Sequence, residues 1–314
     1  MKQSHALFML ALAVAVASPS LAQKFALPSH LDEVVGSTFT VTASREETLL
    51  DIARRFSVGQ EEILMANPSV DRWLPADGAE VILPTEYILP RAERKGLVLN
   101  VPEMRLYFYP PRGVGEPAVV LTFPVSIGRM DWSTPIGHTK VVGKTENPTW
   151  RPPASIIAER ISNGESPPQV IPPGPGNPLG RFAFRLGLPG YLIHSTNKPY
   201  GVGMRVTHGC LRMYPEDIEK LFDKVAVGTQ VQLINQPIKI GRLAGSLFLE
   251  LHPPLEEDRE KYQDYMQNVL NAISDFLADE RNTDGVSSMD ISLSGGALRQ
   301  AVEEQSGLPV LISR

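Results

Sequence analysis

The spacing of hydrophobic residues predicts a compact strand–helix–helix–strand unit over residues 38–85. A short strand is expected at residues 39–41, and a second strand closes the unit at residues 80–84. Between them, hydrophobic residues recur at the i, i+3, i+4 and i+7 positions of an amphipathic helix. These residues are Leu49, Ile52, Ala53 and Phe56. A second helix is expected at residues 60–66, because the residue before Pro68 disfavours the helical conformation.

Between residues 95 and 235 the pattern changes to short runs of β-branched and aromatic residues, separated by glycine and proline. The runs lie at residues 97–101, 105–109, 119–127, 140–142, 191–194 and 231–234. Many short strands without long intervening helices favour an antiparallel sandwich or barrel. Prolines clustered in residues 148–178 predict long loops there. One helix is expected from Pro215, with Ile218, Leu221 and Phe222 on one face.

The last segment, residues 236–314, is a C-terminal extension that is expected to be partly helical. An apolar stripe in residues 256–281 predicts a helix packed on the main domain. Its members are Tyr262, Met266, Val269, Ile273 and Phe276. A loop is expected at residues 282–296 and a short helix at residues 297–305. The predicted fold class is therefore mainly β with a few helices.

The N-terminus predicts export. Lys2 precedes an apolar run, and small residues around Ala22 fit a signal-peptidase site, so residues 1–22 are interpreted as a signal peptide. The run is shorter than the roughly 20 residues that span a bilayer. We therefore expect a soluble exported protein. The net charge of -5 and the absence of a basic patch with aromatic residues disfavour nucleic-acid binding.

Cys210 is the only cysteine of the chain, so it has no partner for an internal disulfide. In an oxidising compartment this favours a thiol whose reactivity is used. A thiol with a pKa near 8.5 is mostly protonated at neutral pH and needs a base. His194 ends a predicted strand, and His208 would share a face with Cys210 in a regular strand. Spacing alone leaves both histidines open as that base.

Three neighbours of Cys210 have predicted supporting roles. Gly209 lets the backbone approach a substrate carbonyl, with nearby amides as oxyanion donors. Arg212 is suited to pair with a substrate carboxylate, and Thr207 flanks the site on the other side.

Two other chemistries fit the residues less well. A zinc site of His194, His208 and Cys210 lacks a CxxC pair and an HExxH helix, so no metal and no cofactor are expected. Ser195 begins an SxxK pattern, but it follows a strand where a penicillin-binding serine would open a helix. The remaining histidines outside the signal are interpreted as surface or satisfied residues: His30, His138 and His252.

Two resemblances extend this interpretation. Residues 38–85, with Asn67-Pro68 and the closing run Val81-Ile82-Leu83-Pro84, resemble a LysM module, although Glu46-Glu47-Thr48-Leu49 replaces the usual Gly-Asp-Thr-Leu. That resemblance implies binding to the glycan of peptidoglycan. Glycan binding by this module should then be separable from catalysis by the following domain.

Residues 95–235 resemble the YkuD-type L,D-transpeptidases of the ErfK/YbiS/YcfS/YnhG subgroup. The resemblance rests on His194 followed by Thr207-His208-Gly209-Cys210, and on the upstream runs Asn147-Pro148-Thr149-Trp150 and Pro173-Gly174-Pro175-Gly176-Asn177. It implies a nucleophile at Cys210, a base at His194, and supporting roles for His208 and Arg212. The usual His-Gly-Thr is His194-Ser195-Thr196 here, and the Ser195 carbonyl is expected to orient the imidazole.

The resemblance further implies a periplasmic enzyme that acts on peptidoglycan stem peptides. It would release the terminal D-alanine of a tetrapeptide stem through a cysteine acyl-enzyme. The acyl acceptor stays open between a diaminopimelate amine, a lysine of an outer-membrane lipoprotein, and water. The alternative is a non-catalytic peptidoglycan-binding protein with an inert Cys210, and rapid alkylation of that thiol would favour the enzyme.

Overall fold

The computed structural model describes residues 23–27, 32–167, 169–284 and 291–313. The predicted signal peptide and His30 lie outside the described residues. Within those ranges, no helix is both long and apolar enough to cross a membrane.

The N-terminal part forms the predicted strand–helix–helix–strand unit. Its elements, with the three strands that flank them, are β1 (Gln23–Ala26), β2 (Val34–Gly36), β3 (Phe39–Thr42), α1 (Leu49–Arg55), α2 (Gln60–Ala66), β4 (Glu80–Leu83) and β5 (Glu86–Ile88). Strands β3 and β4 pair antiparallel. Helix α1 begins at a capping box, in which Thr48 Oγ1 accepts the Asp51 amide and the Asp51 carboxylate accepts the Thr48 amide. The core of this unit includes Leu49, Ile52 and Ile63.

The elements of the central part are β6 (Gly96–Asn100), β7 (Arg105–Tyr109), β8 (Val119–Pro124), β9 (Ile127–Gly128), β10 (Gly137–Glu146), α3 (Ala154–Ser162), β11 (Phe182–Leu186), β12 (Leu192–His194), β13 (Arg205–Thr207), β14 (Leu211–Arg212), α4 (Pro215–Phe222) and β15 (Gln230–Ile234). Most of these strands form, with β1, a nine-stranded sheet in the order β1-β8-β7-β6-β15-β10-β11-β12-β14. The β-rich prediction is confirmed. The sheet is mixed, however, because β15 pairs parallel with β6 and β14 pairs parallel with β12.

Both faces of this sheet are covered. Leu97 and Leu99 of β6 face the main core, and Val98 between them faces a second cluster with Tyr87 and Tyr107. Side chains alternate between the faces of a strand, so an uninterrupted hydrophobic run is what a sheet covered on both sides requires. Helix α4 closes the main core with Ile218 and Leu221, as predicted.

The expectation of loops throughout the proline-rich segment is wrong. Helix α3 (Ala154–Ser162) lies inside it. Pro153 precedes the helix in an extended conformation, where its missing amide hydrogen costs nothing, and no proline interrupts the nine residues that follow. Gly164, with φ of +74°, follows the helix. The prolines lie on both sides of these nine residues, so their high number in the whole segment did not indicate a helix.

The C-terminal part departs most from the prediction. It contains a three-stranded sheet that the sequence analysis missed, and the predicted helix at residue 256 starts at Tyr265, after a 3-10 turn. Its elements are β16 (Ile238–Leu243), β17 (Ser246–Leu251), α5 (Tyr265–Asp284), α6 (Gly295–Glu304) and β18 (Val310–Leu311). Ala244 and Gly245, both with positive φ, make the two-residue turn between β16 and β17.

Helices α5 and α6 pack on this small sheet instead of on the main domain. Val269, Ile273 and Phe276 of the predicted stripe share a core with Leu247 and Leu249. The final helix was predicted to within two residues of its observed ends.

The N-terminal unit is joined to the central sheet through buried charges. Arg105 of β7 donates to Glu62 of α2 through Nε at 2.8 Å and Nη2 at 2.7 Å, and its side chain is fully buried. The α2 amides of Gln60 and Glu61 donate to the carbonyls of Val202 and Gly203. The unit is therefore part of the structure that supports the segment leading to Cys210.

Candidate active site

Strand pairing brings the two main sequence candidates to one edge of the sheet. His194 is the last residue of β12, and Cys210 directly precedes β14. These strands run parallel with Ile193 opposite Leu211 and His194 opposite Arg212. Residues sixteen positions apart in the chain are thereby placed on neighbouring strands.

The imidazole of His194 is held in one orientation. Its Nδ1 lies 2.5 Å from the carbonyl oxygen of Ser195. A carbonyl only accepts hydrogen bonds, so Nδ1 carries the hydrogen and Nε2 keeps its lone pair. Burial, together with the positive charge of Arg212, lowers the pKa of His194 to about 4. The ring is therefore a neutral base at physiological pH.

The thiol of Cys210 is also neutral in the resting protein. Burial raises its pKa, and this is opposed in part by a backbone hydrogen bond from Leu192 and by the charge of Arg212. Sγ lies 3.6 Å from the carbonyl oxygen of Gly190. Slow alkylation of this thiol at neutral pH is therefore compatible with an enzyme, and the rate of alkylation does not separate the two functions considered from the sequence.

The residues between β13 and β14 form a tight turn, so the regular-strand geometry assumed for His208 and Cys210 is wrong. Thr207 Oγ1 donates to the carbonyl of Cys210 at 2.6 Å. Gly209 has φ of +95°, and a Cβ there would lie 2.8 Å from Cε1 of Tyr191. A side chain at this position would therefore be strained in its backbone and would collide with the Tyr191 ring.

Arg212 is a half-buried cation at the same edge. Burial lowers its pKa, and its Nε has no hydrogen-bond partner. Among the described residues, no acidic side chain forms an ion pair with it. Because an unpaired, partly buried charge is costly, this guanidinium is poised for an anionic group of a substrate.

His208 points to a partner that the sequence analysis missed. Its Nε2 lies 2.6 Å from Oε2 of Glu159 on α3, and its ring centroid lies 5.5 Å from that of Trp132. Glu159 also accepts a hydrogen bond from Arg129. Glu159 lies within the proline-rich segment, where the sequence pattern did not predict this contact.

The two alternative chemistries fit the geometry poorly. Ser195 follows a strand and is 1% exposed, which does not match a serine nucleophile at the start of a helix. Among the described residues, a cluster of three potential metal ligands lies elsewhere, at Glu103, Glu250 and His252.

The ammonium of Lys239 already occupies the position of a cation in that cluster, at 2.9 Å from Glu103 and 2.5 Å from Glu250. His252 is therefore buried in an ionic cluster, with Nε2 bonded to Glu250 and Nδ1 unpartnered, and is neither a surface residue nor fully satisfied. His138 is exposed, as expected.

Comparison with known proteins identifies the family of this chain. The YkuD family profile, described as an L,D-transpeptidase catalytic domain, matches residues 94–233. The chain is 39% identical over 298 residues to the probable L,D-transpeptidase ErfK/SrfK of Escherichia coli K12, covering 94% of this chain and 92% of that protein. The chain belongs to the L,D-transpeptidase family.

Two further Escherichia coli K12 relatives of this L,D-transpeptidase match over almost their whole length. The probable L,D-transpeptidase YcfS is 37% identical, over 98% of this chain and 93% of its own, and YbiS is 36% identical, over 96% and 95%. The family assignment made from the sequence motifs is confirmed. The matches extend beyond the catalytic domain and include the segments that form the N-terminal unit and the C-terminal sheet in this chain.

Proposed function

We propose that this L,D-transpeptidase cleaves the bond before the terminal D-alanine of a peptidoglycan tetrapeptide stem, with Cys210 as nucleophile and His194 as base. The observation that carries the proposal is the fixed tautomer of His194. Its Nδ1–H is directed to the Ser195 carbonyl, and its Nε2 is left free to take a proton. Strand β14, which pairs with the strand that ends at His194, starts directly after Cys210.

In the acylation step, the proton of the Cys210 thiol moves to Nε2 of His194 as Sγ attacks the substrate carbonyl. An S–C bond forms, and the C–N bond to D-alanine breaks when the imidazolium returns the proton to the leaving amine. Both groups begin neutral, so the ion pair arises during the reaction. We expect the amides of Gly209 and Cys210 to donate to the oxyanion.

Arg212 is assigned to the carboxylate of the departing D-alanine. The guanidinium is half-buried and has no acidic partner among the described residues, and a substrate carboxylate would accept two parallel hydrogen bonds from it. This assignment explains why the attacked bond is the one before a C-terminal residue. It also predicts that a stem amidated at its C-terminus is a poor donor.

The second step transfers the acyl group to an amine. A diaminopimelate side chain of another stem would give a 3-3 cross-link, and a lysine of an outer-membrane lipoprotein would give a covalent anchor. Attack by water would give a shortened stem. We propose a periplasmic location, because the apolar run near the N-terminus and the small residues before Gln23 are typical of a cleaved export signal.

The N-terminal unit is assigned to glycan binding on the basis of one open cavity. The cavity has a volume of about 610 Å³ and is lined by residues 64 and 67–73. Trp73 is 61% exposed beside it, and the Asp71 carboxylate fixes its loop by accepting the amides of Trp73 and Leu74. An exposed indole at a polar cavity is suited to pack against a sugar ring.

One assay tests the function. The purified protein is incubated with tetrapeptide muropeptides, with and without a lipoprotein acceptor, and the products are identified by mass. We expect release of D-alanine by the wild type and none by Cys210→Ala, which removes the attacking atom and little volume. Turnover retained in Cys210→Ala would refute the mechanism. Pelleting with peptidoglycan without any turnover by the wild type would favour the non-catalytic alternative.

A further inference from the structure

Helix α3 contacts the catalytic motif through a single acidic side chain. No residue of α3 is buried, and Ile161 on it is 57% exposed. Within the described part of the chain, Glu159 is the only side chain of this helix that forms hydrogen bonds beyond the helix and its C-terminal turn. A nine-residue helix without a buried face gains little from packing, so a specific polar contact must hold it in place.

Glu159 connects the ends of two paired strands. Its Oε2 lies 2.6 Å from Nε2 of His208, and its Oε1 contacts the guanidinium of Arg129. Arg129 follows β9 and its amide donates to the carbonyl of Thr207 at 3.0 Å, whereas His208 follows β13, the strand paired with β9. One carboxylate therefore holds both a residue of the turn that carries Cys210 and the end of the strand beside that turn.

The contact with Glu159 determines which nitrogen of the His208 ring carries a hydrogen and how the ring is oriented. The hydrogen bonds from Arg129 and then from His208 lower the pKa of Glu159, which keeps it ionised. A carboxylate only accepts, so Nε2 of His208 must carry a hydrogen. The ring also packs against Trp132. His208 is thereby held in one orientation, with a hydrogen on Nε2, two residues from the thiol.

We propose that Glu159 is a positioning residue for the nucleophile, which acts by holding His208 and Arg129 and so fixes the Thr207–Cys210 turn. The proposal rests on the proposed role of Cys210 as the nucleophile. Glu159 itself touches no reacting atom. Displacement of a catalytic group by about 1 Å costs up to about 100-fold in rate. We therefore expect Glu159→Gln to lower kcat by about 10- to 100-fold with a smaller change in KM.

The test compares Glu159→Gln with Glu165→Gln as a matched control. Glu165, just after the helix, also forms an ion pair with an arginine, Arg160 of α3. Among the described residues, its side chain forms no hydrogen bond or ion pair with the motif. A double-mutant cycle combines Glu159→Gln with His208→Gln. If Glu159 acts through His208, its substitution costs several-fold less in the His208→Gln background. Equal losses in both backgrounds, or equal losses for Glu159→Gln and Glu165→Gln, would overturn the proposal.

A second readout does not depend on turnover. Cys210 is the only thiol, so the rate of its alkylation by iodoacetamide at pH 8.5 reports its environment directly. We expect Glu159→Gln to change that rate at least threefold and Glu165→Gln to leave it unchanged. If the wild type releases no D-alanine but this difference is observed, the positioning role stands and the proposed function fails. An unchanged rate together with unchanged turnover refutes the positioning role.

Discussion

Removing the charge of Glu62 tests whether the N-terminal unit and the catalytic sheet form one cooperative structure. Glu62 receives two hydrogen bonds from the fully buried Arg105, and its Oε2 also accepts the amide of Gly59 at 2.6 Å. The substitution Glu62→Gln keeps the size of the side chain but leaves the guanidinium without a counter-charge. The remaining partners of Arg105 are neutral: Thr122, the Ser57 carbonyl and the ring of Tyr87.

The size of the effect follows from that burial. Breaking a buried ion pair by removing one partner costs about 3–5 kcal/mol, because the other charge stays desolvated. With a denaturant dependence of about 3 kcal/mol per molar urea, the unfolding midpoint should fall by about 1 to 1.7 M. The combined replacement Glu62→Leu with Arg105→Met should cost less than the sum of the single changes, since neither charge is then left alone.

Urea unfolding followed by circular dichroism measures these differences. The control is Glu47→Gln, because Glu47 pairs with Arg55 on the surface at 2.9 Å and its loss should cost less than about 1 kcal/mol. A cost below about 1 kcal/mol for Glu62→Gln as well would refute the reasoning.

The expected cost also changes the interpretation of the N-terminal unit. We expect deletion of residues 39–84 to destabilise the catalytic domain, whereas the sequence alone led to an expectation of separable units.

Three further predictions concern the site and the cavity. His194→Ala should lower kcat/KM by several orders of magnitude in the muropeptide assay, and His208→Gln should cost less; the opposite ranking would assign the base role to His208. Because burial and Arg212 lower the pKa of His194 to about 4, the neutral base persists as the pH falls, so kcat/KM should hold between pH 6.5 and about 5 and decline near pH 4. Arg212→Gln should move that decline to higher pH, and an unchanged midpoint would contradict the assignment. Trp73→Ala should weaken pelleting with insoluble peptidoglycan while leaving turnover of small muropeptides intact, and the exposed Leu74→Ala serves as control; equal pelleting by both variants and the wild type would refute glycan binding at this cavity.

Local patterns predicted several elements well. Helix α2 has the predicted ends, helix α1 contains the predicted apolar spacing, and the short aromatic and β-branched runs became strands. These features depend on neighbours within a few residues: the spacing of apolar side chains and the restriction before Pro68. Sequence patterns failed at two places. The prolines of the 148–178 segment concealed α3, and the hairpin of β16 and β17, which precedes the helical stripe of the tail, was not predicted.

The sequence by itself determined which residues are candidates for the chemistry: one thiol, two histidines and an arginine in a recognisable motif. It left the choice between His194 and His208 to family resemblance. The tertiary structure adds the contacts that distinguish them, since His194 is oriented by the Ser195 carbonyl and His208 is held by Glu159. It also decides the neutral resting state of the site and the burial of Arg105 against Glu62. These properties depend on which groups distant in the chain displace water around a charge, and no local pattern of residues contains that information.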